Sequence, residues 1–326
     1  MSEVVLQVDS LCKTFRDKGG EVLKAVDGVS FSVGKGEVVG LLGPNGAGKT
    51  TTIKCILGVM RPNSGTVRVM GTDARVGYPG VLKHISAVLE GSRNLYWGLT
   101  VSENVRFFAG LHGISPAKGA ADFRQLLETF GLMDKKDVEV RKLSQGMKQK
   151  TSVVCALARR TPLVFLDEPT LGLDVETSLE LRSTLRKYAR EEGRTVIVSS
   201  HDMDVIQEIC NRVIIMSNGR VVTDDCVSHL IDLFRTRTCT VQLGVAAPDD
   251  LQAELSSGFA PAEIVSAAGG ADRGDQIRAT LAEKDDIYRL VGLLHDRNLP
   301  IEEVSYGRPD LEQVFLEIVR KERDRA

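Results

Sequence analysis

The segment Gly43-Pro-Asn-Gly-Ala-Gly-Lys-Thr50 constrains this chain more than any other. Before it runs EVVGLLG, short and almost wholly apolar, the pattern of a strand buried on both faces. After it, TTIKCILGVM places apolar residues about one turn apart, which predicts a helix from Lys49 to Met60. A glycine-rich turn between a buried strand and a helix can wrap an anion. Its backbone N–H groups point inward through φ values that other residues avoid, and the helix N-terminus aims at the same place. Gly43, Pro44, Asn45, Gly46, Ala47, Gly48, Lys49, Thr50 and Thr51 therefore form a candidate phosphate cradle. Lys49 supplies a point charge to the outer phosphates, and Thr50 offers a hydroxyl to Mg2+. The competing reading is a chance glycine-rich turn, and the strand–helix setting weighs against it.

Other apolar runs of strand length follow: LVFLDEP (163–169), TVIVSS (195–200) and RVIIM (212–216), with helical periodicity between them, as in 176–191. Residues 3–8 and VSFSV (29–33) also read as strands. From 101 to 160 the pattern is helical, in SENVRFFAGLHG, ADFRQLLETFGL and SQGMKQKTSVVCALARR. Alternating strands and helices predict an α/β fold with a mostly parallel sheet. Past residue 230 the composition changes. TCTVQLGV and QIRATLA read as strands, EKDDIYRLVGLLHDRN and DLEQVFLEIVRKE as helices, and AAGGADRGD (267–275) as a loop. The expected division is a domain over 1–232 and a small α+β domain over 236–326.

A chain of 326 residues, 42% hydrophobic, has ample core for two domains. Its net charge of −2 lacks the concentrated basic excess of a nucleic-acid binder. Cys12, Cys55, Cys155, Cys210, Cys226 and Cys239 form no C-x-x-C pair and read as reduced thiols. No apolar run reaches the ~18 residues of a membrane span, and MSEVVLQVDS is no signal segment, so a soluble intracellular protein is expected.

Two carboxylates close the run LVFLDEP. An acid ending a buried strand is costly unless it binds something. Asp167 is placed to reach Mg2+ through a water, and Glu168 to orient an attacking water and take its proton. Alone, the pair would as readily be a solvated strand end. His201 follows the strand TVIVSS, where a lone histidine is more often a polar surface residue. Leu143-Ser-Gln-Gly-Met147 opens a helix, and Ser144 can cap it.

In order and spacing these segments resemble the ATP-binding subunits of ABC transporters, over about residues 3–230. GPNGAGKT resembles their phosphate loop, LSQGM their signature motif, LVFLDEP their metal-binding strand, LGLD (171–174) their D-loop and His201 their switch histidine. The resemblance implies the ABC type of P-loop NTPase fold, with a RecA-like core sheet, an antiparallel β-subdomain and a helical arm at about 91–160. It implies a head-to-tail dimer with a second ATPase subunit, a copy of this chain, enclosing ATP and Mg2+. Ser144, Gln145 and Gly146 would then face the γ-phosphate bound by the opposite subunit, although Gln145 and Met147 depart from the usual LSGGQ. Asp174 would lie at the dimer interface or cap the helix over 175–191. His201 would hydrogen-bond the γ-phosphate. Phe15 would stack on adenine, with a core or surface ring as the alternative.

Glu90 ends an apolar run in AVLEGSRNLYWGLT (87–100). The family places a glutamine there that binds Mg2+ and the attacking water, yet no glutamine occurs between Gln7 and Gln125. Glutamate brings the same oxygen with a full negative charge. The expected metal set is Thr50, Glu90 and Asp167. LTVSENVRFFAGLHG and the tail DLEQVFLEIVRK resemble the ABC-2, drug- and sodium-exporter type. The expectation is ATP-driven export through a separate integral-membrane permease, with the chain cytoplasmic on the inner face of the cell membrane and no nucleic-acid partner. A soluble ABC ATPase acting on ribosomes or DNA is the rival; one phosphate loop and no long coiled coil count against it. Glu168 and His201 count against a module that no longer hydrolyses, and the lack of N-K-x-D against a GTPase.

Overall fold

The first two strands, β1 (Val4–Arg16) and β2 (Val22–Gly34), pair antiparallel over 13 residues each. Both run far past the stretches 3–8 and 29–33 that alternation predicts. Register shifts between Val8 and Leu11 and between Leu11 and Lys13 break the two-residue period, and Ser10 turns to φ 47 among them. β4 (Ser64–Val69) and β5 (Thr72–Asp73) complete a sheet of order β2-β1-β4-β5. The structure is a computed structural model and describes residues 3–16, 19–74, 80–91, 94–233, 238–248, 250–259, 262–265, 274–281, 285–306, 311, 314–315 and 318.

The central sheet has the order β10-β9-β3-β8-β7-β6. Its strands are β3 (Val38–Leu42), β6 (Ile85–Val88), β7 (Leu163–Asp167), β8 (Thr195–Ser200), β9 (Arg212–Ser217) and β10 (Arg220–Cys226). All are parallel except β10, which returns antiparallel on β9. Every residue of β3, β7 and β8 is buried, as in strands covered on both faces. One buried cluster joins Val8 and Val67 to Leu41, Phe165 and Ile197 and to Ile53 of α1 (Lys49–Ile56). That helix stops at Ile56 rather than at Met60, because Gly58 takes φ 71 just beyond its end.

β3 lies between β8 and β9, so the chain leaves it and returns on either side. Ligands of such sheets bind outside the carboxyl ends of the strands at this switch point. Those ends carry the phosphate loop after β3, Glu90 after β6, Asp167 and Glu168 at β7, and His201 after β8.

The arm holds α2 (Val101–Gly110), α3 (Pro116–Thr129) and α4 (Gln145–Leu157). Thr100 and Glu103 form a capping box on α2, and Ser115 caps α3 with Pro116 behind it. Asn104 is fully buried, accepts from Tyr96 N and donates to the carbonyls of Tyr96 and Thr100, stapling the incoming loop to α2. α5 (Val175–Glu191), α6 (Met203–Ile209) and α7 (Val227–Leu233) follow.

The chain divides into two compact units: one up to Ser228 and again from Phe315, the other His229–Val314. The break between them falls within α7. The second unit runs β11 (Thr238–Leu243), α8 (Leu251–Gly258), β12 (Ala262–Val265), β13 (Gln276–Thr280), α9 (Asp286–Asp296) and β14 (Ile301–Tyr306). Its antiparallel sheet has the order β12-β13-β11-β14, the split βαβ arrangement, over a core holding Val241, Ile277, Leu255 and Leu290. The loop AAGGADRGD and the helix expected in DLEQVFLEIVRKE fall mostly outside the described residues. Among the described residues, no helix is long and apolar enough to cross a membrane.

Candidate active site

Gly46 and Gly48 take φ 83 and 98, which side-chain-bearing residues rarely adopt. A Cβ on Gly48 would lie 2.3 Å from the Ala25 carbonyl oxygen, and one on Gly43 2.4 Å from that of Met216. The loop is therefore pressed against backbone on its outer side. Lys49 Nζ donates to Gly43 O at 2.6 Å and Pro44 O at 3.4 Å. Burial pulls the Lys49 pKa below its usual value, opposed by the charges of Glu168, Asp167 and Glu90.

A cavity of about 540 Å³ opens here, within the range of small-molecule sites. Asn45, Gly46, Ala47, Gly48, Lys49, Thr50 and Thr51 line it, with Phe15, Glu90 and Glu168. Leu23, Lys24, Ala25 and Asn218 line it too, and the sequence reading did not include them. Phe15 is exposed, and Lys13 Nζ lies 5.4 Å from its ring centre.

Asp167 is 2% exposed. Ser199 Oγ donates to its Oδ1, while Oδ2 is buried with no hydrogen-bond partner among the described residues. Glu168 adopts φ 49, a left-handed conformation that costs about 1–2 kcal/mol for such a residue. Its N–H donates to Ser199 O at 3.0 Å. Oε2 accepts from Ser200 Oγ at 3.1 Å, and Oε1 lies 2.9 Å from His201 Nδ1. Ser199 and Ser200 are functional candidates that sequence reasoning passed over. Two hydroxyls ending a fully buried apolar strand were the signal.

Glu90 is exposed. Asn94, also not foreseen, closes the loop beneath it by donating from Nδ2 to Leu89 O at 2.7 Å and to Gly91 O at 3.0 Å. A smaller cleft of about 180 Å³ is lined by Glu90, Asp167 and Glu168 and, from α4 of the same chain, by Gln145 and Gln149. Gln145 thus stands beside its own chain's carboxylates.

Ser144, Gly146 and Asp174 lie outside both cavities. Ser144 Oγ caps α4, accepting from Met147 N at 3.2 Å. A Cβ on Gly146 would lie 2.5 Å from Thr177 Cγ2. Asp174 caps α5, accepting from Thr177 N at 2.9 Å and Thr177 Oγ1 at 2.8 Å, and these bonds hold its carboxyl below the usual range. Ser144 and Asp174 therefore each have a hydrogen-bond partner inside their own chain.

No group of three or more His, Cys, Asp or Glu side chains among the described residues could by itself hold a metal. The buried, unpartnered Asp167 Oδ2 still fits Mg2+, which keeps waters and substrate phosphates in its shell and needs few protein ligands.

The chain matches the ABC transporter family over residues 26–171. It is 30% identical over 290 residues to the methionine import ATP-binding protein MetN 4 of Oceanobacillus iheyensis, covering 87% of this chain and 84% of that one. It is 35% identical over 235 residues to the Nod factor export ATP-binding protein I of Paraburkholderia xenovorans, covering 71% and 74%. A solved ATP-binding cassette, dimeric and bound to ADP and Pi after hydrolysis, aligns with a TM-score of 0.61 and 25% identity, over 68% of this chain and 98% of that one. The phosphate loop, the strand-end acids and these relatives agree: the chain belongs to the ATP-binding proteins of ABC transporters and is an ATPase of that family.

Proposed function

We propose that this chain hydrolyses ATP to drive export through a separately encoded membrane permease, working as a head-to-tail dimer. The observation that carries the hydrolytic part is the hold on Glu168, whose two oxygens are engaged by Ser200 and His201. A carboxylate aimed in this way can orient a water and take its proton as the water attacks the γ-phosphate. Lys49 leaves the carbonyls of its own loop for the outer phosphates, which replace them as partners. With Nδ1–H given to Glu168, His201 can donate from Nε2 to a phosphate oxygen only as the imidazolium. Mg2+, when bound, neutralises charge on the phosphates, and Asp167, Thr50 and Glu90 would hold it. Phe15, which lines the cavity, offers a flat face for the base.

Two exposed apolar patches support the partners. Leu171, Val175 and Leu179 are exposed at and after the D-loop, which favours a second copy there. On the arm, Tyr96, Trp97, Phe107 and Leu111 are exposed, and the Tyr96 and Phe107 rings meet edge to face at 4.8 Å. This patch suits a permease loop. The exporter-like arm sequence and the small C-terminal unit favour export. The import relative, matched over 87% of the chain, favours import as the second reading.

Co-purification in detergent tests the class: a membrane permease retained with the chain is expected, and co-sedimentation with ribosomes would overturn it. Direction is read by adding ATP to inverted vesicles that carry chain and permease and following a panel of labelled solutes. Export predicts ATP-dependent accumulation inside, and import predicts loss.

A further inference from the structure

Arg182, on α5, has a side chain only 11% exposed. Its Nη2 donates to Asp202 Oδ2 at 2.8 Å, and Nη1 lies 3.9 Å from Glu208 Oε2. Asp202 uses its other oxygen to cap α6, where Oδ1 accepts from Asp204 N at 3.0 Å and Val205 N at 3.3 Å. The Asp202 backbone N–H then donates to Ser200 Oγ at 3.1 Å, and Ser200 Oγ donates to Glu168 Oε2 at 3.1 Å. A continuous run of hydrogen bonds thus leads from α5 to the carboxylate at the end of β7. His201, between Ser200 and Asp202, meets the other oxygen of the same carboxylate.

Burying a guanidinium is costly, and a well-packed apolar side chain often serves stability as well or better. Arg182 is not even fully satisfied, since its Nε is buried without a partner among the described residues. What the charge adds is geometry. The rigid guanidinium fork fixes the Asp202 carboxylate, and with it the direction of the Asp202 N–H. Ser200 has a single hydroxyl proton. Once its oxygen accepts from Asp202, that proton is directed to Glu168.

We propose that Arg182 is a positioning residue for ATP hydrolysis, fixing the orientation of the Glu168 carboxylate through Asp202 and Ser200. This rests on the reading of Glu168 as the group that takes the proton of the attacking water. Arg182 touches neither substrate nor metal, so its contribution falls on turnover and not on nucleotide affinity.

The test is a double-mutant cycle on the full chain: wild type, Arg182→Met, Ser200→Ala and the double variant, each with kcat and KM for ATP. Arg182→Met is expected to lower kcat about tenfold, as loss of an outer support commonly does, with KM within about twofold of wild type. In the Ser200→Ala background the same change is expected to cost less than about twofold, because the two residues act along one chain of bonds. Unchanged kcat, a rise in KM alone, or losses that simply add would overturn the proposal. If Arg182→Met does not fold, Asp202→Asn takes its place with the same outcomes, since asparagine still caps α6. Glu168→Gln is measured alongside. Near-wild-type turnover in that variant removes the underlying reading of Glu168, whereas abolished turnover with an unaffected Arg182→Met removes only the role given to Arg182.

Discussion

Gly146→Ala separates two reasons for a glycine in the first turn of α4. A new Cβ would lie 2.5 Å from Thr177 Cγ2 and 3.4 Å from Thr177 Oγ1. Thr177 is not free to turn away, because its hydroxyl donates to Asp174 Oδ2 at 2.8 Å and another rotamer loses that bond. Overpacking of this kind costs about 1–3 kcal/mol. Alanine recovers up to about 1 kcal/mol of helix propensity. Subtracting the gain from the middle of that range leaves a net loss of about 1 kcal/mol, which lowers the melting midpoint of a unit this large by about 2–4 °C. Thermal unfolding of the nucleotide-free chain measures it. Thr177→Ser removes Cγ2 and keeps the hydroxyl on Asp174, so in that background the same alanine should cost less than about 0.5 kcal/mol. An unchanged midpoint for Gly146→Ala, or an equal loss in the Thr177→Ser background, refutes the packing argument. Contact across the dimer would then be the remaining reason for glycine.

Lys49→Met should abolish ATP binding yet leave the nucleotide-free chain at least as stable near neutral pH. Burial lowers the folded pKa of Lys49 below its value of 10.5 in the unfolded chain, so the unfolded state binds the extra proton between the two values. Wild-type stability relative to Lys49→Met should therefore rise with pH up to about 10.5, as equilibrium unfolding across that range would show; a flat difference rejects the buried charge. Glu90→Gln removes one of the three carboxylates acting on Lys49 and is expected to raise severalfold the Mg2+ needed for half-maximal turnover. Identical Mg2+ dependence and rate would remove Glu90 from the metal. Thr100→Ala breaks the capping box of α2 and should lower the melting midpoint of the arm. Glu103 is held below its usual pKa by the Thr100 N–H and then by the Thr100 hydroxyl, and only the hydroxyl is lost in Thr100→Ala; its contribution is present above about pH 4.5 and lost as pH falls through the folded value. The gap between wild type and Thr100→Ala should narrow in acid.

The phosphate loop was legible because its chemistry is local. Glycines at fixed spacing, a lysine and a hydroxyl all lie in one turn, and flanking periodicity sets it between strand and helix. The strand-end acids were legible for a related reason, since a carboxylate closing an apolar run stands out against its neighbours. β1 and β2 were read too short, because each bulge resets the alternation by which strands are recognised. The second unit read as mixed α and β, but the pairing of β11 with both β13 and β14 joins segments far apart in sequence and leaves no local mark. The same holds for Gly146, whose neighbour Thr177 lies on another helix, and for Arg182, whose partner Asp202 follows His201. Ser144 and Asp174 illustrate the reverse. Their capping roles were readable from residue type and position, and the structure shows those caps made.

The account rests above all on Glu168 as the group that activates water in an ATP-bound dimer. Glu168→Gln, assayed for ATP turnover and by sedimentation velocity in Mg2+ with ATP or ADP, tests it most directly. Turnover should fall at least about 100-fold, the usual range for loss of a general base, with a species of doubled mass in ATP but not in ADP. Turnover near wild type, or a chain that stays monomeric with ATP bound, would contradict it.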